Sequence, residues 1–296
     1  MQQITVRVPA STSNLGPGFD CLGIALRMYN TITIARDALH GQLHTPIVSE
    51  AADRFFKQAR RRPFSFSCSI IEQIPRSRGL GGSATIRLGV LLALNRLSGS
   101  PLDRFAIFEL CSQLEKHPDN AAPAIFGGFT VVKSGASVSH ARNKRGACPT
   151  VQCFSVSPRL HFVLFVPEIE IQTARARKIL PSKISRAAAV ENCANACALT
   201  AAFASQHYEK LRGIFADHLH QPFRAKLIPF LPRVIAAAEQ AGALGAFLSG
   251  SGSAVAAVTR RAQKRIAAAM ARAAKSPGRT IITQADNRGA KILTSH

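Results

Sequence analysis

The sequence predicts an α+β fold with room for one large domain or two modest ones, and three of its features support this prediction. Stretches typical of strands and of helices are mixed without the regular alternation that builds a parallel sheet. The 296 residues exceed one average domain, and 47% of them are hydrophobic, which is enough for a sizeable core. Residues 134–150 are small, polar and basic, as is typical of a linker or of a mobile hairpin. A division into two domains at this stretch would give an N-terminal domain over 1–150 and a C-terminal domain over 151–296.

The first half is expected to contain four strands and three helices. Short alternating apolar runs predict the strands, at 5–8, 29–35, 64–71 and 129–133. Apolar residues at helical spacing predict the helices, over 47–61, over 86–97 and onward from Pro101. Residues 9–23 are small and polar and are interrupted by Gly16, Pro17 and Gly18, so a loop is expected there, and another over 36–46.

The second half shows the same mixture. Strands are expected at 160–167, within 245–258 and at the C-terminal end, and helices at 173–180, 185–206, around 222–225, 231–241 and 262–274. A second glycine-rich turn, Ser249-Gly250-Ser251-Gly252-Ser253, separates two of the strands. Cys193 and Cys197 lie four residues apart on the long helix, and we expect them to pack in the core rather than to bind a metal.

Several classes of protein are disfavoured by the composition. No apolar run reaches the roughly 18–20 residues of a membrane span. The first residues lack the basic and apolar regions of a secretory signal. Seven scattered cysteines without a Cys-x-x-Cys pair indicate reduced thiols and no zinc site. We therefore expect a cytoplasmic protein without a membrane partner.

The net charge of +22 would ordinarily favour nucleic-acid binding. However, the basic residues are spread along the chain, only 6% of residues are aromatic, and no nucleic-acid-binding module is recognisable. Attraction of anionic nucleotides, or a bias of composition, explains the charge better than a dedicated nucleic-acid surface does.

The glycine-rich stretch between the strand at 64–71 and the following helix is the strongest local signal. It consists of Pro75, Arg76, Ser77, Arg78, Gly79, Leu80, Gly81, Gly82, Ser83, Ala84 and Thr85. A turn of this kind collects unpaired N–H groups at the positive end of a helix, which suits a phosphate. Ser83 could cap the helix or direct its hydroxyl to a metal ion. Taken alone, a plain helix cap explains the stretch equally well, and it is not a Walker A loop because no Gly-Lys-Ser/Thr follows.

Two other polar stretches are ambiguous when each is taken alone. Asn14 and Asp20 could serve a ligand or simply stabilise the turns of the expected loop. The run from Glu115 through His117 and Asp119 to Asn120 needs solvent or a ligand, and such a run is more often a surface loop than a site.

The order of these motifs resembles the GHMP kinase superfamily, which comprises galactokinases, homoserine kinases, mevalonate kinases and phosphomevalonate kinases. Its three characteristic segments are matched by Val8–Asp20, Pro75–Thr85 and Gly245–Val258. Within the superfamily the chain is most similar to the homoserine kinases. That similarity rests on Asn14–Asp20, His117–Pro123, Thr173-x-x-x-Arg177 and His220–Arg224. The matches span nearly the whole chain in one order.

The resemblance implies a nucleotide-binding α+β domain followed by a ferredoxin-like domain, with the active site between them. It implies transfer of the γ-phosphoryl group of ATP to the side-chain hydroxyl of L-homoserine, a step toward threonine. ATP and Mg²⁺ would be the cofactors and L-homoserine the substrate. No nucleic acid or membrane is expected as a partner, and a homodimer fits the assignment.

The resemblance also implies roles for individual residues. Backbone N–H groups of Gly79–Ser83 would hold the phosphates, and Ser83 and Glu115 would bind Mg²⁺. Arg177 and Arg224 would clamp the substrate carboxylate. The amino and hydroxyl ends would be lined by Asn14, Asp20, His117 and Asn120, with Thr173 nearby. Asp20 would orient the hydroxyl or take its proton, and Asn120 is the second catalytic candidate.

Three departures from the family pattern accompany these matches. Gly82 stands where the first serine of the phosphate loop is usual, and serines flank Gly250 and Gly252 where Ala-Gly-Pro-like residues are commoner. Thr45-Pro46-Ile47 replaces an Asn-Leu beside the adenine, so no adenine contact is assigned. Two alternatives remain open: a mevalonate-type or sugar-type kinase of the same superfamily, and a basic, non-catalytic RNA-binding relative.

Overall fold

The computed structural model describes residues 2–36, 44–133 and 151–295. The expected linker at 134–150 and most of the expected loop at 36–46 lie outside the described residues. The strands are β1 (Gln3–Asn14), β2 (Gly18–Arg36), β3 (Phe66–Glu72), β4 (Phe129–Val132), β5 (Val151–Phe154), β6 (His161–Pro167), β7 (Gly245–Leu248), β8 (Val255–Thr259), β9 (Gly278–Gln284) and β10 (Lys291–Ser295). The helices are α1 (Pro46–Ala59), α2 (Gly82–Leu97), α3 (Arg104–Glu115), α4 (Ala121–Phe126), α5 (Thr173–Lys178), α6 (Arg186–Ala204), α7 (Gln221–Arg224), α8 (Leu231–Gln240) and α9 (Gln263–Ala274), with a 3₁₀ turn at Tyr208–Leu211.

The first sheet is antiparallel and contains the order β10-β1-β2-β4-β5, with β3 paired to the other part of the long β2. Residues of α1–α4 form one apolar core with its strands. Gly89 lets α2 lie close on β2, because a Cβ there would come within 2.5 Å of the Ile32 side chain. Two strands from beyond residue 150, β5 and β10, belong to this sheet.

The second sheet has the order β7-β8-β6-β9. Counted along its own strands this is 2-3-1-4, which is the antiparallel order of a ferredoxin-like domain. Residues of α8 and α9 pack with its strands in one core, and a second core, to which α6 contributes, joins it to β1, β2 and β4 of the other half. The α+β architecture and the ferredoxin-like second domain are therefore confirmed.

The predicted loop at residues 9–23 is wrong, because β1 and β2 continue through it as a hairpin. Ser11 faces Ala25 and Thr12 faces Ile24 in register, and both hydroxyl side chains are fully buried. These hydroxyls bond to distant segments, Ser11 to Asn120 at 2.9 Å and Thr12 to Ser249 at 2.8 Å. A buried strand can carry small polar residues when their partners are supplied in this way, although the local pattern is that of a turn.

The expectation that Cys193 and Cys197 pack in the core is also wrong, because both side chains are exposed. Helix α6 buries only one narrow edge, at Asn192, Leu199, Ala202 and Phe203, and the cysteines lie on another face. Within the described residues, Cys21, Cys111, Cys153, Cys193 and Cys197 are free thiols. Across the described part of the chain, no helix has the length and apolar character needed to cross a membrane.

Candidate active site

A cavity of about 570 Å³ lies where the two halves of the chain meet. It brings together nearly all of the residues that the sequence singled out. Its lining includes Asn14, Asp20, Arg76, Ser77, Arg78, Gly79, Leu80, Gly81, Gly82, Ser83, Glu115, His117, Asn120, Thr173, Arg177 and Arg224. Pro75, Ala84 and Thr85 do not line it, and Ala84 and Thr85 are buried beneath the glycine turn.

The glycine turn has a backbone that only glycine adopts easily. Gly79 and Gly81 have φ angles of 72° and 70°, in the left-handed region. A Cβ on Gly81 would lie 2.1 Å from Ser11 Oγ, and one on Gly79 would lie 2.0 Å from the Ser249 carbonyl oxygen. Gly81 is the N-cap of the 16-residue α2, so the first N–H groups of the helix have no acceptor within it. The geometry is that of an anion-binding helix start.

The second glycine-rich turn braces the first, a role that the sequence did not reveal for Ser249. The Ser249 hydroxyl donates to the Gly79 carbonyl oxygen at 2.7 Å. The backbone N–H of Ala254 donates to the Arg78 carbonyl oxygen at 3.1 Å, and that of Gly250 to the Ser13 carbonyl oxygen at 3.1 Å. The glycine turn is thereby held by residues 170 positions away in sequence.

Ser83 and Glu115, the predicted metal ligands, are adjacent. The Ser83 hydroxyl donates to Glu115 Oε2 at 2.7 Å instead of capping its helix. Arg87 pairs with Glu115 Oε1 and, at 2.7 Å, with Glu50, so it compensates the buried charge of Glu115. Among the described residues, no group of three or more His, Cys, Asp or Glu side chains is arranged to hold a metal ion. Two hard oxygens beside a phosphate turn nevertheless fit Mg²⁺, which completes its coordination with phosphates and water.

At the other end of the cavity, Asp20 and Arg177 form a two-pronged ion pair. Arg177 Nη1 donates to Asp20 Oδ2 at 3.1 Å and Nη2 donates to Oδ1 at 2.5 Å. Asp20 has a φ of 59°, so its backbone is held in an unusual conformation where the β1–β2 hairpin ends. The guanidinium fork predicted to bind a substrate carboxylate is therefore occupied by a carboxylate of the protein.

Arg224 is the largest fully buried side chain and lies beside that pair. Its Nε donates to the Ala176 carbonyl oxygen at 3.3 Å and its Nη1 to the Gly250 carbonyl oxygen at 2.9 Å. Burial, and then the charge of Arg177, lower its pKa to about 10. Even so, Arg224 is charged at neutral pH, and it has no carboxylate in direct contact in the described structure. This end of the cavity is suited to an anionic group.

The remaining predicted residues are partly engaged in holding the cavity together. Asn14 donates to the Gly250 carbonyl oxygen at 2.9 Å and accepts from the Asp20 N–H at 3.0 Å. Asn120 donates to Ser13 Oγ at 3.0 Å, besides its bond with Ser11. The hydroxyl of Thr173 lies 3.3 Å from that of Ser251. These contacts align the elements that line the site.

Two ionisable groups near the pair have shifted pKa values. Burial, and then the charge of Asp20, raise the pKa of Asp119 to about 6. Burial, and then the charge of Arg177, lower the pKa of His117. Asp119 had been noted only as part of the polar run, and no role was predicted for it. In the sequence, Asp119 could have been identified by its position between His117 and Asn120, which are both predicted site residues.

The cavity also has an apolar portion that the sequence analysis did not assign. Ile47, Ile70 and Ile86 line it, together with Thr45. These residues come from the start of α1, from β3 and from the first turns of α2, so they lie around the entrance to the glycine turn. A flat apolar ligand group can be accommodated there.

Comparison with known proteins places this geometry in a family. Residues 46–128 match the GHMP kinases N terminal domain, and residues 198–276 match the GHMP kinases C terminal model. A homoserine kinase from Microchaete diplosiphon is 34% identical, with 99% of this chain and 98% of that protein covered. The chain belongs to the homoserine kinase family of GHMP kinases.

Further comparisons agree with this family assignment. A homoserine kinase from Moorella thermoacetica is 36% identical, with 90% of this chain and 91% of that protein covered. A crystal structure of homoserine kinase from Cytophaga hutchinsonii has a TM-score of 0.86 at 25% identity and covers 98% of this chain and 97% of that chain. A mevalonate kinase structure has a TM-score of 0.70 at 15% identity, with 96% and 99% covered, which shows the shared fold alone. The recognition made from the sequence motifs is confirmed.

Proposed function

We propose that this kinase transfers the γ-phosphoryl group of ATP to the side-chain hydroxyl of L-homoserine, giving O-phospho-L-homoserine for threonine synthesis. The observation that supports this most directly is the two-ended cavity. One end is a helix start with glycine-turn N–H groups, and the other holds Arg177, Arg224 and Asp20. A triphosphate suits the first end and a small zwitterion with a hydroxyl suits the second.

At the phosphate end, the residues of this chain act by position and charge. The N–H groups of Gly79–Ser83 bind the phosphate oxygens without side chains in the way. Ser83 and Glu115 would hold Mg²⁺, which neutralises phosphate charge during the transfer. Arg87 keeps the Glu115 carboxylate aimed at that place. The apolar portion at Ile47, Ile70 and Ile86 would take the adenine ring.

At the substrate end, binding requires a rearrangement of charges. The substrate carboxylate would bind Arg224 and take the Arg177 fork from Asp20. The released Asp20 would then face the amino and hydroxyl end, with His117 and Asn120. A ligand without a carboxylate leaves two guanidinium groups with one counter-charge, so it should bind more weakly than homoserine.

The catalytic role of Asp20 is to orient the attacking hydroxyl and, where proton transfer is required, to receive its proton. Asn120, held by Ser11 and Ser13, would support the same end from the opposite wall. We expect Asp20→Asn to lower kcat by at least about tenfold in a steady-state assay, because an amide neither attracts the ammonium nor accepts a proton. Near-full turnover of that variant would rule out both roles of Asp20.

The superfamily alternatives are less compatible with this cavity. Mevalonate lacks an ammonium group and sugars lack a carboxylate, whereas the site offers both charge signs close together. The free thiols of Cys21, Cys111, Cys153, Cys193 and Cys197 support a reducing cytoplasm as the compartment. The RNA-binding alternative rests on the net positive charge of the chain, and no described feature of the cavity favours it.

A substrate screen with isothermal titration tests the proposal. The purified enzyme is assayed with L-homoserine, mevalonate and galactose, and L-homoserine is titrated with and without a non-hydrolysable ATP analogue. We expect the enzyme to phosphorylate homoserine and neither mevalonate nor galactose. We also expect homoserine to bind both with and without the ATP analogue. Absence of homoserine turnover, with activity on another acceptor, would overturn the proposed function.

A further inference from the structure

His220 is fully buried behind the substrate end of the cavity, and no role was predicted for it. It does not line the cavity, but it lies one helical turn before Arg224. Its Nδ1 is 3.3 Å from Arg224 Nη1, and its Nε2 is 2.9 Å from the Gly16 carbonyl oxygen. Its ring stacks on Phe19 with centroids 5.3 Å apart, and the same Phe19 ring lies 5.3 Å from the Arg224 guanidinium carbon.

These partners determine which nitrogen carries the proton. A carbonyl oxygen can only accept, so Nε2 carries the hydrogen and donates it to Gly16. A guanidinium can only donate, so Nδ1 is bare and accepts from Arg224. Asp217 stands 3.5 Å from Nε2, and its carboxylate also accepts from the backbone N–H groups of His220 and Gln221. Burial lowers the pKa of His220 to about 4, in keeping with a neutral ring.

The contact with Gly16 reaches the opposite wall of the substrate site. Gly16 lies in the turn between β1 and β2, where Asn14, Leu15 and Gly16 all have left-handed φ angles of 70°, 46° and 74°. Such a run is strained for the two residues that are not glycine, so it needs outside support. The same turn places Asn14 and Asp20 in the cavity. One imidazole thus connects the helix of Arg224 to the turn that carries Asp20.

We propose that His220 is a positioning residue that fixes the Arg224 guanidinium and sets its spacing from the Asn14–Asp20 turn, so that the site fits an α-amino acid carboxylate. This assignment rests on the proposed function for the identity of the carboxylate. Removal of the imidazole leaves the guanidinium with its bonds to the Ala176 and Gly250 carbonyl oxygens only, so Nη1 loses one of its two acceptors and the fork is held less firmly within its buried pocket.

The test compares His220→Leu and His220→Asn with the wild-type enzyme, and uses His218→Asn as a matched control. His218 is in the same segment, but its ring pairs with Glu191 at 3.0 Å, away from the cavity. An asparagine side chain places its oxygen near the position of Nδ1, so it can still accept from Arg224. Each enzyme is assayed with L-homoserine and with L-homoserinamide, which lacks the carboxylate, and the KM for ATP is measured in parallel.

We expect His220→Leu to lower kcat/KM for homoserine by about tenfold to a hundredfold, the usual effect of losing a hydrogen bond to a charged group. The same variant should change kcat/KM for the amide by less than about threefold, and the KM for ATP by less than about twofold. His220→Asn should recover a large part of the loss, and His218→Asn should match the wild type. Equal losses for acid and amide, or no recovery with asparagine, would show a merely structural role and overturn the proposal.

A spectroscopic measurement tests the same contact without depending on activity. ¹⁵N NMR of the histidine rings at neutral pH should show one ring with the proton on Nε2 and a bare Nδ1, and this signal should be missing from His220→Asn. A proton on Nδ1 of His220 would overturn the proposal. Lack of homoserine turnover by the wild type would instead overturn the proposed function, and the NMR result would still decide the contact with Arg224.

Discussion

At the scale of single residues, the substrate end combines buried groups whose pKa values are shifted in ways that affect stability in opposite directions. His220 has a pKa lowered to about 4, so the folded protein resists its protonation. Asp119 has a pKa raised to about 6, so the folded protein resists its ionisation. Both shifts arise first from burial, which disfavours the charged form of either group. The shift of His220 lowers the free energy of unfolding at acidic pH, and the shift of Asp119 lowers it at higher pH.

The stability that each residue contributes can be followed through its protons. As pH falls from 6.5 to 4, an unfolded histidine gains a proton that folded His220 does not, so stability falls. As pH rises from 3.8 to 6, an unfolded aspartate loses a proton that folded Asp119 keeps, so stability also falls. In the wild-type protein the two contributions oppose each other between pH 4 and 6.

Asp119→Asn therefore gives a specific prediction. Because the variant lacks the titration of Asp119, it should gain about 1.5 kcal/mol of unfolding free energy relative to the wild type between pH 4.5 and pH 6. Urea unfolding of both proteins at several pH values measures this difference. Parallel pH curves for the two proteins would show that Asp119 ionises normally in the folded state.

At the scale of elements, the start of α2 depends on two neighbouring glycines to different degrees. Gly81 has a φ of 70°, and a Cβ there would meet Ser11 Oγ at 2.1 Å. Gly82 has no atom within 4 Å of its Cβ position, although a serine is usual at this place in the family. Glycine at position 82 therefore has no steric cause, because its surroundings leave room for a side chain.

We expect Gly81→Ala and Gly82→Ala to behave differently. Gly81→Ala should lose about 2–4 kcal/mol of stability, because it adds left-handed strain and a steric clash, and it should raise the KM for ATP. Gly82→Ala should leave the KM for ATP unchanged and should raise the stability by about 0.5 kcal/mol, since alanine suits the first turn of a helix better than glycine does. Urea unfolding and ATP saturation curves measure these effects. If the two variants behaved alike, the proposed binding of ATP phosphates at this glycine turn would be contradicted.

The elements also show how far the sequence could go. The glycine turn and the charged segments were each ambiguous alone, and they were predicted to form a site because they occur together in the order typical of a known family. The hairpin through Ser11 and Thr12 was not, because its hydroxyls are satisfied by Asn120 and Ser249, more than 100 residues away. Ser249 and His220 were missed for the same reason, since each acts on a segment that only folding brings near. Local sequence patterns therefore identify residues that contact a ligand better than they identify residues that hold those contacts in place.

At the scale of the whole molecule, segments from both halves line the active-site cavity of a chain with a net charge of +22. Internal ion pairs such as Asp20–Arg177 balance part of the charge inside the cavity, so most of the excess lies elsewhere on the molecule. A field of this sign attracts polyanions over the distance that salt allows, and it does not distinguish a neutral zwitterion. The charge should therefore act on one of the two proposed substrates only.

We expect salt to weaken the capture of ATP and not that of homoserine. Between about 0.1 M and 1 M potassium chloride the screening length falls from about 10 Å to about 3 Å. The value of kcat/KM for ATP should then fall by about tenfold, because steering of the anion is screened, while that for homoserine changes by less than about twofold. Steady-state kinetics with each substrate varied in turn measure both, and urea unfolding at the two salt concentrations verifies that the fold is unaffected. An equal fall for both substrates would show that salt acts on the cavity itself, and the positive charge would then have no role in drawing the nucleotide to the enzyme.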